Sequence, residues 1–426
     1  MTAGVLFGSF TLFLLLSVPI GIALGLSSLA TILYTGALPL DFLMKELVTA
    51  VDSFPIMAVP FFILAGEIMG KGGISERLFD FANALVGNKT GGFAMATIVT
   101  CMFFAAISGS GPATVAAIGG IMIPAMVRKG YDKQFATAVV AAAGSIGVII
   151  PPSIPMVIYG VVGGASVGKM FMAGIIPGIL VGVALMIWAY IYSKKHNYGG
   201  TGEKMTLKNV FTSFWEAKWA LIIPIIILGG IYGGFFTPTE AAVIAVVYSL
   251  IAGLFLYGEL KIKHIPKLLI DSSLTTATIL IIVGTATAFG RLLTIERIPE
   301  QVASFMLSVS DSNIVIILMI TILLLIVGCF MDTLAAIIIL TPILLPIATN
   351  LGYDPIHFGI LMVVNLAIGF ITPPLGVNLF VGSGISGLSI EELSKAILPF
   401  FIAMLISLGL IVFIPQLSLW LANLGG

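Results

Sequence analysis

The sequence predicts an all-α polytopic membrane protein built from two inverted repeats, each carrying a re-entrant helical hairpin and a broken helix. Three observations lead there. Hydrophobic residues make up 59% of the 426 positions and charged residues only 9%, against about 25% charged in soluble domains. So few charges cannot clothe a water-facing surface, and lipid must solvate most of the exterior. The apolar runs are continuous, as in "GVLFGSFTLFLLLSVPIGIALGL" (4–26) and "WALIIPIIILGGIYGGFF" (219–236). That excludes β-barrel strands, which alternate in polarity. Finally, three motifs recur in the same order, all at a similar offset: "GKGGISER" (70–77) with "GRLLTIER" (290–297), "SGSGPAT" (108–114) with "GCFMDT" (328–333), and "GVIIPP" (147–152) with "GFITPP" (369–374).

The distribution of Lys and Arg orients the elements, because cytoplasmic loops collect positive charge. Most of the 19 basic residues fall around 71–89, 128–133, 194–218 and 261–267. Two helices within 3–35 begin and end outside, and 54–70 crosses inward. Residues 91–127 are apolar with basic residues at both flanks, so they enter and return on the cytoplasmic side as a hairpin. Residues 134–165 cross outward and 170–193 return. In the second half 219–236 goes out, 239–257 comes in and 269–290 goes out. Residues 314–349 form a second hairpin, from the outer side. Residues 357–385 cross inward and 395–415 go out, leaving both termini outside, in a bacterial inner membrane. The halves then have opposite orientations: residues 1–198 are the first repeat, 199–218 a linker and interfacial arm centred on "GGTGEKM" (199–205), and 219–426 the second repeat. Short amphipathic stretches at 42–52, 205–217 and 260–268 are expected to lie flat at the interface. The N-terminus lacks a basic n-region, the first Lys or Arg being Lys45, so residues 1–35 read as mature helices rather than a signal peptide.

Several function classes are set aside at this stage. Zero net charge argues against a nucleic-acid partner. The two cysteines sit in apolar segments and suggest no disulfide framework. His196, His264 and His357 are far apart and form no metal-ligand pattern. "GGASVGKM" (163–170) has phosphate-loop spacing, but Met170 replaces the required hydroxyl and the strand–loop–helix context is missing. With no nucleophile–base arrangement either, the chain is not expected to be an enzyme. A channel needs a ring of pore-lining residues and fits a pseudo-symmetric chain less well than a carrier does.

The chemistry is expected where helices break inside the membrane. Both hairpin tips interrupt apolar helices, and the diprolines Pro151/Pro152 and Pro373/Pro374 remove N–H donors from the crossings. Freed carbonyls and hydroxyls suit a hard cation such as Na⁺; half-helix N-termini attract a substrate carboxylate. One cation site is expected per repeat. The first would use Ser108, Ser110, Ser145 and backbone from Gly147 to Pro151. The second would use Gly328, Cys329, Asp332, Thr333 and backbone from Gly369 through Thr372 to Pro373. Asp332, a charge amid apolar residues, reads as functional, with a neutral backbone-bonded carboxyl as the alternative. Ser108, Thr114, Ser153, Asn365 and Asn378 are candidate substrate contacts, although Ser and Asn also serve plain helix packing. Arg291 is a candidate carboxylate partner. Its repeat mate is Lys71, however, and snorkelling to headgroups accounts for both. Glu67, Glu240 and Asp271 lie nearer helix ends and are expected to meet solvent or cap helices.

The stretches "SFPIMAVPFFILAGEIM" (53–69), "SGSGPATVAAIGGIMIPAMVRKGYD" (108–132), "IIPPSIPMVIYG" (149–160), "FTPTEAAVIAV" (236–246), "TPILLPIA" (341–348) and "HFGILMVVNLAIGFITPPLG" (357–376) resemble the large membrane subunit of tripartite ATP-independent periplasmic (TRAP) transporters, almost end to end. The resemblance implies an ion-transporter superfamily fold and an elevator mechanism coupled to two or more Na⁺. It also implies a separate small four-helix membrane subunit and a periplasmic substrate-binding protein as partners. The expected substrate is an organic acid, with sialic acid favoured over a C4-dicarboxylate. A stand-alone sodium-coupled carboxylate carrier is the other reading.

Overall fold

The computed structural model describes residues 2–36, 38–200, 206–310 and 312–424. Of the expected linker, residues 201–205 lie outside the described residues. The described chain is all-helical, with nine helical segments long and apolar enough to span a membrane.

The first half runs α1 (Thr2–Leu15), α2 (Ile20–Thr35), α3 (Leu40–Thr49), α4 (Ala58–Lys71), α5 (Ile74–Val86), α6 (Gly92–Ser108), α7 (Gly111–Arg128), α8 (Lys133–Gly144), α9 (Ile154–Val162) and α10 (Val167–Lys195). The second runs α11 (Leu207–Tyr232), α12 (Pro238–Ile251), α13 (Ile265–Ile295), α14 (Ile298–Val309), α15 (Asn313–Phe330), α16 (Thr333–Asn350), α17 (Pro355–Gly369), α18 (Val377–Ser386), α19 (Ile390–Phe413) and α20 (Gln416–Leu424). A 3₁₀ turn, Ser145–Val148, extends α8.

The order matches between halves. α6–α7 and α15–α16 are the two hairpins, and α8–α9 and α17–α18 are the two broken crossings. The same helix starts are capped at corresponding places: Ser110, Asp132 and Ser166 in the first half, Asp332, Asp354 and Ser389 in the second. Each cap satisfies N–H groups that a helix start leaves without partners, which matters more where no water is near.

The halves interlock. α2 packs on α13, and α4 packs on α12. The centre is formed by the first parts of the broken crossings: every residue of Phe135–Gly144 and of His357–Gly369 is buried. Large apolar side chains face outward elsewhere, among them Leu12, Ile225, Ile322 and Ile406. Exposing such surface to water costs about 25 cal/mol per Å², so these faces belong in lipid.

Three features differ from the sequence reading. The stretch 205–217 is not a separate interfacial helix: from Leu207 it is the start of α11, which runs unbroken to Tyr232. No Gly or Pro stands between Leu207 and Pro224 to end the helix. Likewise 260–268 leads through a short 3₁₀ turn (Ile262–His264) directly into α13. In the first half the corresponding path is split between α3 and α4 by a segment containing Pro55. Third, the amphipathic helix α5 begins inside the repeated "GKGGISER" segment, at Ile74, and α14 directly follows "GRLLTIER"; the sequence reading named neither helix. Of the stretches expected to lie flat, 42–52 does correspond to a distinct short helix, α3, packed on α13.

Candidate functional site

Both hairpin tips break as the sequence requires. α6 ends at Ser108, Gly109 takes φ +62°, and Ser110 is extended before α7 begins. Ser108 Oγ and Thr114 Oγ1 lie 3.0 Å apart, and Thr114 Oγ1 donates to the Ser110 carbonyl at 2.8 Å. Ser110 Oγ accepts from Ala113 N at 3.5 Å. In the second hairpin, Met331 and Asp332 are extended between α15 and α16, and the Asp332 carboxylate accepts from Leu334 N at 2.9 Å.

Each tip is pinned to its own broken crossing by one backbone bond. Ile154 N donates to the Gly109 carbonyl at 3.3 Å, and Leu375 N donates to the Cys329 carbonyl at 3.0 Å. These donors stand just beyond the two diprolines. Glycines allow the approach: a Cβ on Gly147 would sit 2.6 Å from the Ser110 carbonyl oxygen and 2.7 Å from Thr114 Oγ1, and one on Gly369 would collide with the Gly328 carbonyl.

The first cation set therefore comes together in part. Ser108, Ser110, Thr114 and Gly147 form one cluster. Ser145 instead engages the second half, accepting from Asn378 Nδ2 at 3.1 Å, while the same amide donates to the Ala141 carbonyl at 3.1 Å. Pro151 is buried. Ser153 Oγ donates to the Val148 carbonyl at 2.6 Å and accepts from Met156 N at 3.3 Å, so it closes the break and caps α9. In the second set Gly328 and Gly369 meet at the backbone, the Cys329 carbonyl takes the Leu375 bond, and Thr372 Oγ1 donates to the Ile368 carbonyl at 2.8 Å. Thr333 is buried at the tip, whereas Pro373 is exposed.

Asn365 Nδ2 donates to the Leu361 carbonyl at 2.8 Å within its own helix. The Oδ1 atoms of Asn365 and Asn378 are buried without a hydrogen-bond partner among the described residues. Leaving such an oxygen unmet costs about 1–3 kcal/mol, and a hard cation is a partner that suits it.

The tips share a cavity of about 370 Å³. Gly109 and Ser110 border it from the first hairpin, Asp332 and Thr333 from the second, and Ile154 from the start of α9. The N-termini of α7, α9 and α16 thus converge on one space, each carrying about half a positive charge. Thr275 and Thr278 of α13 form its far wall; both were missed in the sequence, where isolated Thr residues in an apolar helix carry no pattern. Arg291 is elsewhere. It lines a second cavity and pairs through Nε with Glu46 Oε2 at 3.6 Å. Its repeat mate Lys71 pairs with Asp271 at 3.5 Å. Glu240 closes a capping box with Thr237 and thus caps α12.

Apolar helices around a cavity that hydroxyls, one carboxylate and two backbone breaks border on an otherwise apolar lining define a multi-pass membrane transporter. The chain belongs to the family described as tripartite ATP-independent periplasmic transporter, DctM component, which it matches over residues 7–417. It is 55% identical over 419 residues to the isethionate TRAP transporter permease protein DctMQ of Oleidesulfovibrio alaskensis, covering 98% of this chain and 66% of that protein; the chain thus spans just under two thirds of that relative's length. It is 40% identical over 440 residues to the C4-dicarboxylate TRAP transporter large permease protein DctM of Rhodobacter capsulatus, covering 100% of both. It is 38% identical to the sialic acid TRAP transporter large permease protein SiaM of Vibrio cholerae, covering 95% of each. Among solved structures the YdaH transporter of Alcanivorax borkumensis shares the fold, with a TM-score of 0.60 at 16% identity, covering 90% of this chain and 89% of that one. These relatives are permease subunits and not enzymes, in line with the absence of catalytic patterns in the sequence.

Proposed function

We propose that this chain is the transport subunit of a sodium-coupled importer of small organic anions, supplied by a periplasmic binding protein and joined to a small membrane subunit. The observation that carries this is the single cavity where both hairpin tips and three half-helix N-termini meet. No Lys or Arg lines it among the described residues, while the Asp332 carboxylate does. An anion placed beside Asp332 in a low-dielectric site would be repelled. Na⁺ held at the tip oxygens offsets that repulsion and completes the unmet Asn365 and Asn378 oxygens. Each inward Na⁺ also gains about 2.3 kcal/mol per 100 mV of membrane potential. In this reading the hairpins and broken crossings slide as a body along the face of α13, an elevator motion.

The relatives support a sulfonate or carboxylate cargo. Identity of 55% to a protein named for isethionate, against 38% to one named for sialic acid, favours a small sulfonate over the sialic acid expected from sequence. The name DctMQ and the extra third of that relative's length support a small subunit as partner. Excess Lys and Arg on the loops at 128–133 and 194–195 support termini on the periplasmic side.

Reconstitution of the complex in proteoliposomes tests this. Uptake of isethionate or succinate should require an inward Na⁺ gradient and the binding protein. Equal uptake on a proton gradient without sodium rejects the coupling ion. Equal uptake without the binding protein makes the chain a stand-alone carrier.

A further inference from the structure

The tip cavity has a neighbour in series. A second cavity, also about 370 Å³, is bordered by Thr49 at the end of α3 and Ser53 beyond it, Thr287 and Arg291 on α13, Ile158 on α9 and Ile338 on α16. The same three helices line both spaces. On α9 the tip cavity meets Ile154 and the second cavity meets Ile158; on α16 they meet Leu334 and Ile338; on α13 they meet Thr278 and Thr287. At about 1.5 Å per residue, Arg291 stands roughly 20 Å along α13 from Thr278. The two spaces are therefore successive chambers of one groove between α13 and the pair α9–α16.

The second chamber has what the first lacks. Arg291 is the one basic side chain bordering it among the described residues, and Thr49, Ser53, Thr287 and Thr294 supply hydroxyls. The Arg291–Glu46 contact, 3.6 Å at Nε, is longer than the about 2.7–2.9 Å of a charge-assisted hydrogen bond. The Arg291 side chain is 65% exposed, against 16% for Glu46. A guanidinium this exposed and this loosely held is open to a second carboxylate or sulfonate.

We infer that the Arg291 chamber is a second anion-binding site, in which a small organic carboxylate or sulfonate displaces Glu46 from Arg291 before passing along α13 to the hairpin tips. This deepens the importer reading and rests on it for the identity of the anion. It also separates the roles of the two repeat mates: Lys71 pairs with Asp271 outside either chamber, whereas Arg291 faces into one.

Charge-selective thiol labelling of the full chain in native membranes tests it without transport, sodium or partner. Thr287→Cys places a thiol inside the chamber; the chain without this substitution corrects for Cys101 and Cys329. The rates of a sulfonate-bearing and a trimethylammonium-bearing methanethiosulfonate are compared. The anionic-to-cationic rate ratio should fall at least fivefold on adding Arg291→Gln, hold with Arg291→Lys, and rise with Glu46→Gln. A ratio unchanged by both Arg291→Gln and Glu46→Gln overturns the site, and the second variant serves if the first fails to fold. A lipid phosphate seated on Arg291 leaves with it in Arg291→Gln, so the two charges cancel and the ratio holds in that variant, which also overturns it. Failure of sodium-driven uptake would leave this ratio unaffected, so the two readings fail separately.

Discussion

The N–H of Leu375 donates to the carbonyl of Cys329 at 3.0 Å, tying the tip of one hairpin to the residue just past a diproline. The first repeat makes the same bond between Ile154 and Gly109 at 3.3 Å. Two breaks that would each leave unpaired groups in the membrane thus satisfy part of each other.

Gly147 should be intolerant of a side chain. Its Cβ would come within 2.6 Å of the Ser110 carbonyl oxygen, and overpacking typically costs about 1–3 kcal/mol. Gly147→Ala should lower the thermal midpoint in detergent and reduce uptake at least tenfold. Gly120→Ala, with nothing within 4 Å of its added Cβ, should leave both unchanged.

Asp332 has two roles that one pair of variants separates. Asp332→Asn keeps an oxygen for Leu334 N, so stability should stay within about 0.5 kcal/mol while the Na⁺ concentration for half-maximal uptake rises about tenfold or more. Asp332→Ala loses the cap as well, at about 1 kcal/mol. Sodium titrations of uptake and thermal melts read the two effects. An unchanged sodium titration in Asp332→Asn removes it from the ion site.

Asn378 joins the halves and Asn365 does not. Asn378→Ala strands Ser145 and the Ala141 carbonyl and should cost about 1–3 kcal/mol. Asn365→Leu removes a buried oxygen that lacks a partner, so the fold should hold or gain stability. Uptake should nonetheless fall if that oxygen holds the proposed Na⁺. Melts and uptake in the same preparations check both outcomes; normal uptake in Asn365→Leu would return Asn365 to a packing role.

Thr275 and Thr278 face the tips from α13. Replacing both with Val removes hydroxyls at nearly constant volume. The apparent KM for the anion should rise several-fold while the sodium titration stays unchanged, since neither residue belongs to the ion positions.

The interruptions at Ser108–Thr114 and Gly328–Thr333 were legible because Gly, Ser, Asp and Pro stand out against continuous apolar runs. The repeat was legible because its motifs keep their order. α5 and α14 were not, because helices mixing charges such as Glu76, Arg77 and Glu300 with apolar residues read as loop between stronger signals. The start of α13 was hidden by Lys261, Lys263 and Lys267, which read as one boundary segment; Pro266 stands in the first turn of α13, where Pro is tolerated, so Lys267 already lies inside the helix. The Asn378–Ser145 bond spans 233 positions, and no local pattern announces a contact between halves. For the same reason nothing in the sequence placed Arg291 beside Glu46 at a cavity apart from the tips.

The most direct test is a cryo-electron-microscopy map of the complex in sodium with a bound anion, isethionate or succinate. The account predicts anion density between the two tips, within hydrogen-bond distance of Ser110 and Thr333, with ion density at the oxygens behind each tip. Anion density elsewhere, with the space between Ser110 and Asp332 holding only water, would contradict it.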